Sequence, residues 1–273
     1  MPPLLNYFIC FFANLLDKNV IMVYSRKVDF LSYRQAVIGK KNRKSRVGAV
    51  KGWGYRGNSV VLDLTVIRKK TGIYMNKILV TGVTGLVGSA FVVALLRERE
   101  DYEIVCLVRR GGGKTAAERA ESIIRDECAF DGCPEIADRI LKKISVVEGD
   151  VTSIEPETLA KDEALKGVDI IFHCAADVNL GKDPTGKVFK INYHGTENMV
   201  ALAKLLNAKE FHYVGTAYIA GKLQGTAIED NPIDSGFNNP YEESKFKAEF
   251  LVRNSGIPFS VYRPAIVTGR RGS

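Results

Sequence analysis

A tyrosine and a lysine four positions apart, Tyr241 and Lys245, are the side chains of this sequence best suited to acid–base chemistry. Residues i and i+4 share one face of a helix, so the phenol and the ammonium can reach the same site. A free tyrosine has a pKa of about 10, and a neighbouring cation favours the phenolate and lowers that value. An ordinary exposed helical pair has the same spacing, so the motif alone does not establish a site.

Two further positions are placed to assist this pair. Thr216 follows the apolar run 211–215, so we expect it at the end of a strand, where its hydroxyl can bind a substrate carbonyl. Arg263 and Pro264 follow another apolar run, and the proline would place rigid backbone beside the same site.

A glycine-rich turn lies between an apolar run at 78–80 and a helical pattern at 89–96. Strand, glycine turn and helix in this order suit a dinucleotide pyrophosphate, because glycine lets the backbone approach and a helix N-terminus attracts anions. A tight strand-to-helix turn without a ligand is the competing interpretation. The residues predicted to contact the cofactor here are Thr81, Gly82, Thr84, Gly85, Leu86, Val87 and Gly88.

Residues after the next strands extend the predicted cofactor site. Arg109 and Arg110 end the second strand, where an arginine accommodates the 2′-phosphate of NADP and an acidic residue favours NAD. We therefore expect NADP(H) to be preferred, with NAD(H) as the alternative. Exposed basic residues leaving a strand would have the same pattern. Lys245 can also hydrogen-bond the nicotinamide ribose. The other predicted cofactor contacts are Asp150 and Val151 after the third strand, Ala175 and Ala176 after the fourth, Tyr241, and Pro264 beside the nicotinamide ring.

The elements that position these residues alternate between apolar strand runs and helical stretches. The strand candidates are 77–81, 103–108, 144–148, 168–174, 211–215 and 259–263, and the helical candidates are 86–99, 115–128, 155–165, 186–207 and 240–254. The strands show little alternation of apolar and polar residues, which is typical of strands buried on both faces. This predicts an α/β fold, a Rossmann-type doubly wound parallel sheet of order 3-2-1-4-5-6 with helices on both faces.

The first quarter of the chain differs in composition from the rest. Residues 1–74 carry 14 Lys and Arg against 3 Asp, a net charge of +11, whereas residues 75–273 carry 25 against 28, a net charge of −3. The overall charge of +8 therefore does not indicate a nucleic-acid partner. The apolar run 4–16 is too short to span a bilayer, so we expect no association with membranes.

These differences predict two regions. Residues 1–74 form a basic, poorly structured N-terminal extension, disordered over 40–56, and residues 75–273 form the NAD(P)-binding domain. The extension is either a membrane or targeting segment, or upstream sequence translated in frame. We favour the second, with Met75 as the natural start, because Met75 directly precedes the first strand.

Five cysteines without a C-x-x-C pair and only three histidines predict neither a disulfide framework nor a metal site. An odd number of free thiols suits a reducing compartment, so we expect a cytoplasmic protein.

Taken together, the motifs resemble the extended short-chain dehydrogenases/reductases. The residues that carry the resemblance are Thr81-Gly82-x-x-Gly85-x-x-Gly88, Val214-Gly215-Thr216-Ala217-Tyr218, Tyr241-x-x-x-Lys245 and Tyr262-Arg263-Pro264. Within that branch, the chain most resembles thioester reductases and fatty acyl-CoA reductases, the male-sterility-type NAD-binding domain. His173-Cys174-Ala175-Ala176-Asp177-Val178-Asn179 and the insertion at 111–143 carry this finer resemblance, and Asn192 matches the family's helix asparagine.

The resemblance implies an NADPH-dependent reductase that converts an acyl thioester, on coenzyme A or a carrier protein, to an aldehyde or alcohol. It implies Thr216, Tyr241, Lys245 and Asn192 as the catalytic set. Gly215 departs from the usual serine, and the chain stops at Ser273, before the family's substrate-binding region, so we expect a fragment that is itself inactive or incomplete. An NAD-dependent nucleotide-sugar epimerase or dehydratase, and a non-catalytic dinucleotide-binding module, stay open as alternatives.

Overall fold

The computed structural model describes residues 53–56, 59–62, 76–228 and 232–267. A six-stranded parallel sheet forms the centre of the part from Asn76 onward, with strands in the order β5-β4-β3-β6-β7-β8. Its strands are β3 (Asn76–Thr81), β4 (Tyr102–Val108), β5 (Ile144–Glu148), β6 (Val168–His173), β7 (Glu210–Val214) and β8 (Phe259–Tyr262). Counted within the sheet this order is 3-2-1-4-5-6, so the predicted fold class is confirmed.

Helices connect the strands in the right order for a doubly wound sheet. They are α1 (Leu86–Glu98), α2 (Ala116–Phe130), α3 (Ala137–Leu141), α4 (Pro156–Leu159), α5 (Lys187–Phe189), α6 (Gly195–Leu205) and α7 (Pro240–Arg253). Local sequence determines where the long ones begin. A reciprocal pair of hydrogen bonds between Thr115 and Glu118 caps α2, and the side chain of Asn239 caps α7, with Pro240 in its first turn.

Both faces of the sheet are buried, which explains the absence of alternation in its strands. Val80 packs with Phe91 of α1 on one face, whereas its neighbour Leu79 packs with Met199 of α6 on the other. Each of these four side chains is at most 1% exposed. Consecutive strand residues point to opposite faces, so both must be apolar here.

The predicted helix over 186–207 is interrupted by a different helical geometry. A π-helix, Lys190–His194, separates α5 from α6. The extra residue that a π-turn accommodates leaves no mark in hydrophobic periodicity, so the prediction of one continuous helix is wrong there.

The predicted helix over 155–165 is also shorter than expected. It consists of α4 and a separate 3-10 turn, Glu163–Leu165, that begins where Asp162 accepts a hydrogen bond from the backbone N–H of Ala164. The insertion after α2 contains a 3-10 turn, Pro134–Ile136, and α3, neither of which the sequence patterns predicted.

The region before Asn76 is described only in part. Two short strands, β1 (Trp53–Arg56) and β2 (Ser59–Leu62), pair antiparallel, so four residues of the stretch 40–56 form a strand where disorder was predicted. The rest of that prediction lies outside the described residues. Across the ranges that the structure describes, no helix has the length and apolarity needed to cross a membrane.

Candidate active site

The glycine turn brings the ends of two strands into close contact. Gly82 has a φ of +77°, and a Cβ there would come within 2.6 Å of the Ala175 backbone nitrogen, at the end of β6. A Cβ at Gly88 would overlap the carbonyl of Gly82. Glycine is therefore needed at both positions for the backbone to pass so closely, since a positive φ and this contact both exclude a side chain.

The helix that follows the turn can accept an anion at its N-terminus. α1 begins at Leu86 after Gly85, with no side-chain cap and no acidic residue in its first turn. The first N–H groups of a helix have no intrahelical partner, and its dipole favours negative charge. Leu86, Val87 and Gly88 form that first turn, so the local structure is compatible with the predicted binding of a pyrophosphate at the glycine turn.

Beneath the turn, a buried hydrogen-bond chain links three elements. The hydroxyl of Thr81 accepts hydrogen bonds from the N–H groups of Cys174 and Ala175, both at 3.2 Å, so its proton is directed to His173 Nδ1 at 2.7 Å. His173 Nε2 then donates to Thr196 Oγ1 at 3.0 Å. Burial lowers the pKa of His173 to about 3, and the nearby Lys245 cation adds to this effect. His173 is thus a neutral structural residue that holds β3, β6 and α6 together.

An arginine pocket lies at the other side of the turn, where β4 and β5 end. We define it as Arg109, Arg110, Arg119, Glu148 and Asp150, which together with neighbouring glycines line a cavity of about 680 Å³. Arg110 donates two hydrogen bonds to Glu148, at 3.0 and 3.3 Å. Arg109 Nη1 lies 3.6 Å from Asp150 Oδ2. Both predicted arginines therefore face one cavity.

Sequence reasoning missed Arg119 in this pocket. It lies in the first turn of α2, and its guanidinium donates a hydrogen bond to the backbone carbonyl of Arg109. The threonine cap at Thr115 could have indicated it, because a residue four positions after a cap faces back along the helix toward the preceding strand.

Asp150 and Val151 are held by local contacts. Asp150 Oδ1 accepts hydrogen bonds from the N–H and the hydroxyl of Thr152, at 2.9 and 2.8 Å. Burial opposes ionisation of Asp150, but these bonds and Arg109 outweigh it and lower its pKa. Val151 is buried in the core against α6, and its carbonyl accepts from Asn198 at 2.8 Å. Asp150 therefore caps its turn and also faces the arginine pocket, whereas Val151 is a packing residue.

A buried triad lies after the C-terminal end of β7 and at the start of α7. We define it as Thr216, Tyr241 and Lys245, which are 2%, 8% and 2% exposed. Tyr241 lies in the first turn of α7, and Lys245 lies one turn further along the same face. The hydroxyl of Thr216 accepts from the Tyr218 N–H at 3.2 Å and donates to the Pro264 carbonyl at 3.3 Å. The structure thus brings together the predicted threonine, tyrosine, lysine and proline.

The acid–base properties of Tyr241 differ from the sequence-based expectation. Burial raises its pKa, while a hydrogen bond with the Thr216 side chain acts in the opposite direction. The Lys245 ammonium donates instead to the Val214 carbonyl at 2.7 Å. Burial lowers the pKa of Lys245 to about 8. In this arrangement the tyrosine is held protonated, as a proton donor requires, and the lysine is the more easily titrated group.

Asn192 occupies the middle of the π-helix and is 1% exposed. Its amide donates to the Asp177 carbonyl at 2.9 Å and to Ser244 Oγ at 3.0 Å, and its oxygen accepts from the Asp177 N–H at 2.8 Å. Ser244 in turn donates to the Tyr241 carbonyl at 2.9 Å. Asn192 therefore fixes the loop after β6 to the first turn of α7. Ser244, inside the Tyr-x-x-x-Lys motif, is a supporting residue that sequence reasoning missed.

The remaining predicted contacts lie around the same edge of the sheet. Ala175 and Thr84 are partly buried, and Ala176 is exposed. Pro264 is held in place because its carbonyl also accepts from the Ala217 N–H at 2.9 Å. Its neighbour Arg263 bonds to the fully buried carboxylate of Glu249.

Comparison with known proteins identifies the family. Residues 80–273 match the family described as male sterility protein. The chain belongs to the male sterility protein family. Its family and structural neighbours are NAD(P)-dependent oxidoreductases of the extended short-chain dehydrogenase/reductase type, so the predicted resemblance is confirmed.

Three relatives show how far the similarity extends. The chain is 26% identical over 235 residues to the fatty acyl-CoA reductase wat of Drosophila melanogaster, covering 73% of this chain and 43% of that protein. It is 30% identical to the terminal R domain from the myxalamid PKS-NRPS biosynthetic pathway, with a TM-score of 0.60, covering 73% of this chain and 51% of that one. A UDP-glucuronic acid 4-epimerase from Bacillus cereus, in complex with NAD, shares the fold at 24% identity and a TM-score of 0.51, covering 71% of this chain and 58% of that one. The chain thus spans about half the length of the proteins it matches.

Proposed function

We propose that this protein is an NADPH-dependent reductase of acyl thioesters. The observation that carries the proposal is the buried triad at the same edge of the sheet as the glycine turn. Relatives named as a fatty acyl-CoA reductase and as a terminal R domain of a biosynthetic pathway support a thioester substrate, on coenzyme A or on a carrier protein.

The glycine turn fits a dinucleotide. At Gly82 and Gly88 any Cβ would overlap backbone, so only glycine permits the tight turn that places the start of α1 beside the strand ends. Backbone N–H groups at the start of α1 would bind the phosphates. When bound, NADPH would supply a hydride to the substrate carbonyl carbon.

The arginine pocket favours NADP(H) over NAD(H). Arg109 and Arg110 directly follow β4, at the position where an additional 2′-phosphate is recognised in this type of fold. Both side chains are paired with carboxylates that lie on the same exposed surface, so a dianionic phosphate can compete for them. Arg119 adds a third cation to the cavity.

The triad would stabilise negative charge on the carbonyl oxygen. The Tyr241 hydroxyl can donate a hydrogen bond to the developing oxyanion and would transfer its proton to that oxygen. Thr216 can donate a second hydrogen bond if it exchanges its 3.3 Å bond to the Pro264 carbonyl for one to the oxyanion. Lys245, one helical turn away, would keep the local potential positive and orient the bound nucleotide. Collapse of the resulting hemithioacetal releases a thiol and an aldehyde, and a second reduction gives the alcohol.

The complete protein, assayed with a long-chain acyl-CoA, tests this function. We expect NADPH consumption that depends on the thioester, release of free thiol, and an aldehyde or alcohol product, with NADPH preferred over NADH by roughly tenfold or more. The same acyl group on a carrier-protein phosphopantetheine, assayed in parallel, distinguishes the two carriers. Turnover of a sugar nucleotide with retained NAD and no net reduction would refute the proposal and favour an epimerase.

A further inference from the structure

The ammonium group of Lys245 has an unusual set of neighbours for a buried cation. Its Nζ donates to the Val214 carbonyl at 2.7 Å and lies 4.4 Å from the centroid of the Tyr213 ring, over the face of that ring. Lys245 is 2% exposed and Tyr213 is 1% exposed. A cation over an aromatic face within about 6 Å is attracted by the ring quadrupole, and the attraction grows when both groups are removed from water.

The other charged and titratable groups around Lys245 do little to stabilise its positive charge. His173 and Cys174 face it from the end of β6, and burial keeps both neutral, since it lowers the pKa of His173 to about 3 and raises that of Cys174 to about 11. Tyr241 precedes it on α7 and is protonated. The charge of Glu249 favours the Lys245 cation, but that carboxylate bonds to two arginines.

The Tyr213 hydroxyl does not explain why an aromatic residue is present. It is buried, and it has no hydrogen-bond partner in the described part of the chain. Thr196, which faces it, is committed to the Asn192 carbonyl at 2.6 Å and to His173 at 3.0 Å. A buried hydroxyl without a partner costs stability, so phenylalanine would pack here at least as well. The ring face is the part of Tyr213 with a specific contact.

We propose that Tyr213 is a positioning residue whose ring face holds the Lys245 ammonium charged and directed toward the site. Any effect on catalysis rests on the function proposed above for Lys245. The contact itself, and its effect on the protonation of Lys245, are independent of that function. Tyr213 sits in β7, between the buried histidine chain and α7, so the strand that ends in Thr216 also orients the lysine. Removing the aromatic face should therefore make Lys245 easier to deprotonate, while removing only the hydroxyl should not.

Nuclear magnetic resonance titration of lysine labelled at its ε-carbon measures this directly, with Lys245→Arg used to assign the signal. We expect the pKa of Lys245 to change by less than about 0.3 in Tyr213→Phe, and to fall by about one in Tyr213→Leu and Tyr213→Met. Equal pKa values in Tyr213→Phe and in the two aliphatic variants, with all of them folded, would overturn the proposal.

A ring-fluorinated phenylalanine at position 213 covers the case in which the aliphatic variants fail to fold. Fluorination weakens the ring quadrupole with little change in shape, so the Lys245 pKa should fall progressively with each added fluorine. An unchanged pKa across that series would again overturn the proposal. In the reductase assay, the alkaline limit of the pH profile, where Lys245 loses its proton, should fall by the same amount. Absence of any thioester reduction would refute the proposed function and leave the titration result standing.

Discussion

The arginine pocket and the buried triad lie at the same edge of the sheet but hold their polar groups in different ways. In the pocket, the side chains of Arg109 and Arg110 are 60% and 68% exposed and are paired with carboxylates. In the triad, Thr216, Tyr241 and Lys245 are at most 8% exposed. Thr216 and Lys245 bond to backbone carbonyls, and Thr216 also bonds to Tyr241. Exposed ion pairs contribute little to stability and exchange partners easily, whereas buried polar groups are held in a fixed geometry.

This difference suggests a division of roles between the two regions. Exchangeable arginines can give up a carboxylate for a phosphate, so they should affect which cofactor binds and how tightly. Preorganised hydroxyl groups act on charge that develops during the reaction, so they should affect the rate. Substitutions in each region should therefore change different kinetic constants, and the tests below are ordered by the size of the expected effect.

Tyr241→Phe should have the largest effect and should act on kcat. We expect the rate of thioester reduction to fall by about 10² to 10⁴, because the proton donor is lost while the ring still fills its buried position. The dissociation constant for NADPH, measured by fluorescence titration, should stay within about twofold. Tyr102→Phe, at the start of β4, is the matched control and should leave both constants unchanged. A Tyr241→Phe enzyme with unchanged kcat would remove Tyr241 from the mechanism.

Replacing Arg109 and Arg110 together with alanine should have a smaller effect, on binding. NADPH should bind roughly tenfold more weakly or worse, while NADH binding changes little, since only NADPH presents the additional phosphate. In the native protein, the difference in affinity between NADPH and NADH should decrease as salt is added, because exposed charges are screened. Arg125→Ala on α2 is the control, since Arg125 is also exposed and paired with Glu121 and Asp138 outside the pocket. Equal weakening of both cofactors would assign the arginines a structural role.

The buried histidine below the glycine turn comes last because it should act on stability and not on a kinetic constant. The pKa of His173 is about 3 when folded, below its unfolded value, so the unfolded chain binds its proton more readily. Its contribution is complete above an unfolded pKa of about 6.5 and is lost as the pH falls toward 3, by up to about 1.4 kcal/mol per pH unit. Urea unfolding from pH 7 to 4.5 should show this slope.

His173→Gln should reduce that slope, because glutamine can contact both threonines without titrating. Some slope should persist, since burial also lowers the pKa of His212, against an opposing effect of Glu210. His194→Gln is the control, because His194 is exposed and lies outside the buried chain. A slope identical in the His173 variant and the native protein would show that His173 is not the group responsible.

Most of the fold could be predicted because its signals are local. Short apolar strands, the Thr115 and Asn239 helix caps and the glycine turn each act over a few neighbouring residues, and the predicted strand boundaries agree with the structure to within about one residue. The π-helix at Lys190–His194 could not be predicted in this way, because it depends on Asn192 reaching Asp177 and Ser244, which lie far apart in sequence.

The sequence by itself determined the strand order, the family and the identity of the glycine turn and the triad, since these follow from periodicity and from residue types at given spacings. Only the tertiary structure decided how those residues are used. Burial of Tyr241 raises its pKa where the sequence suggested a lowered one, and Lys245 lies over the Tyr213 ring and bonds to Val214. The pKa of a side chain depends on the solvent and the charges around it, and those come from strands and helices that the chain brings together only by folding.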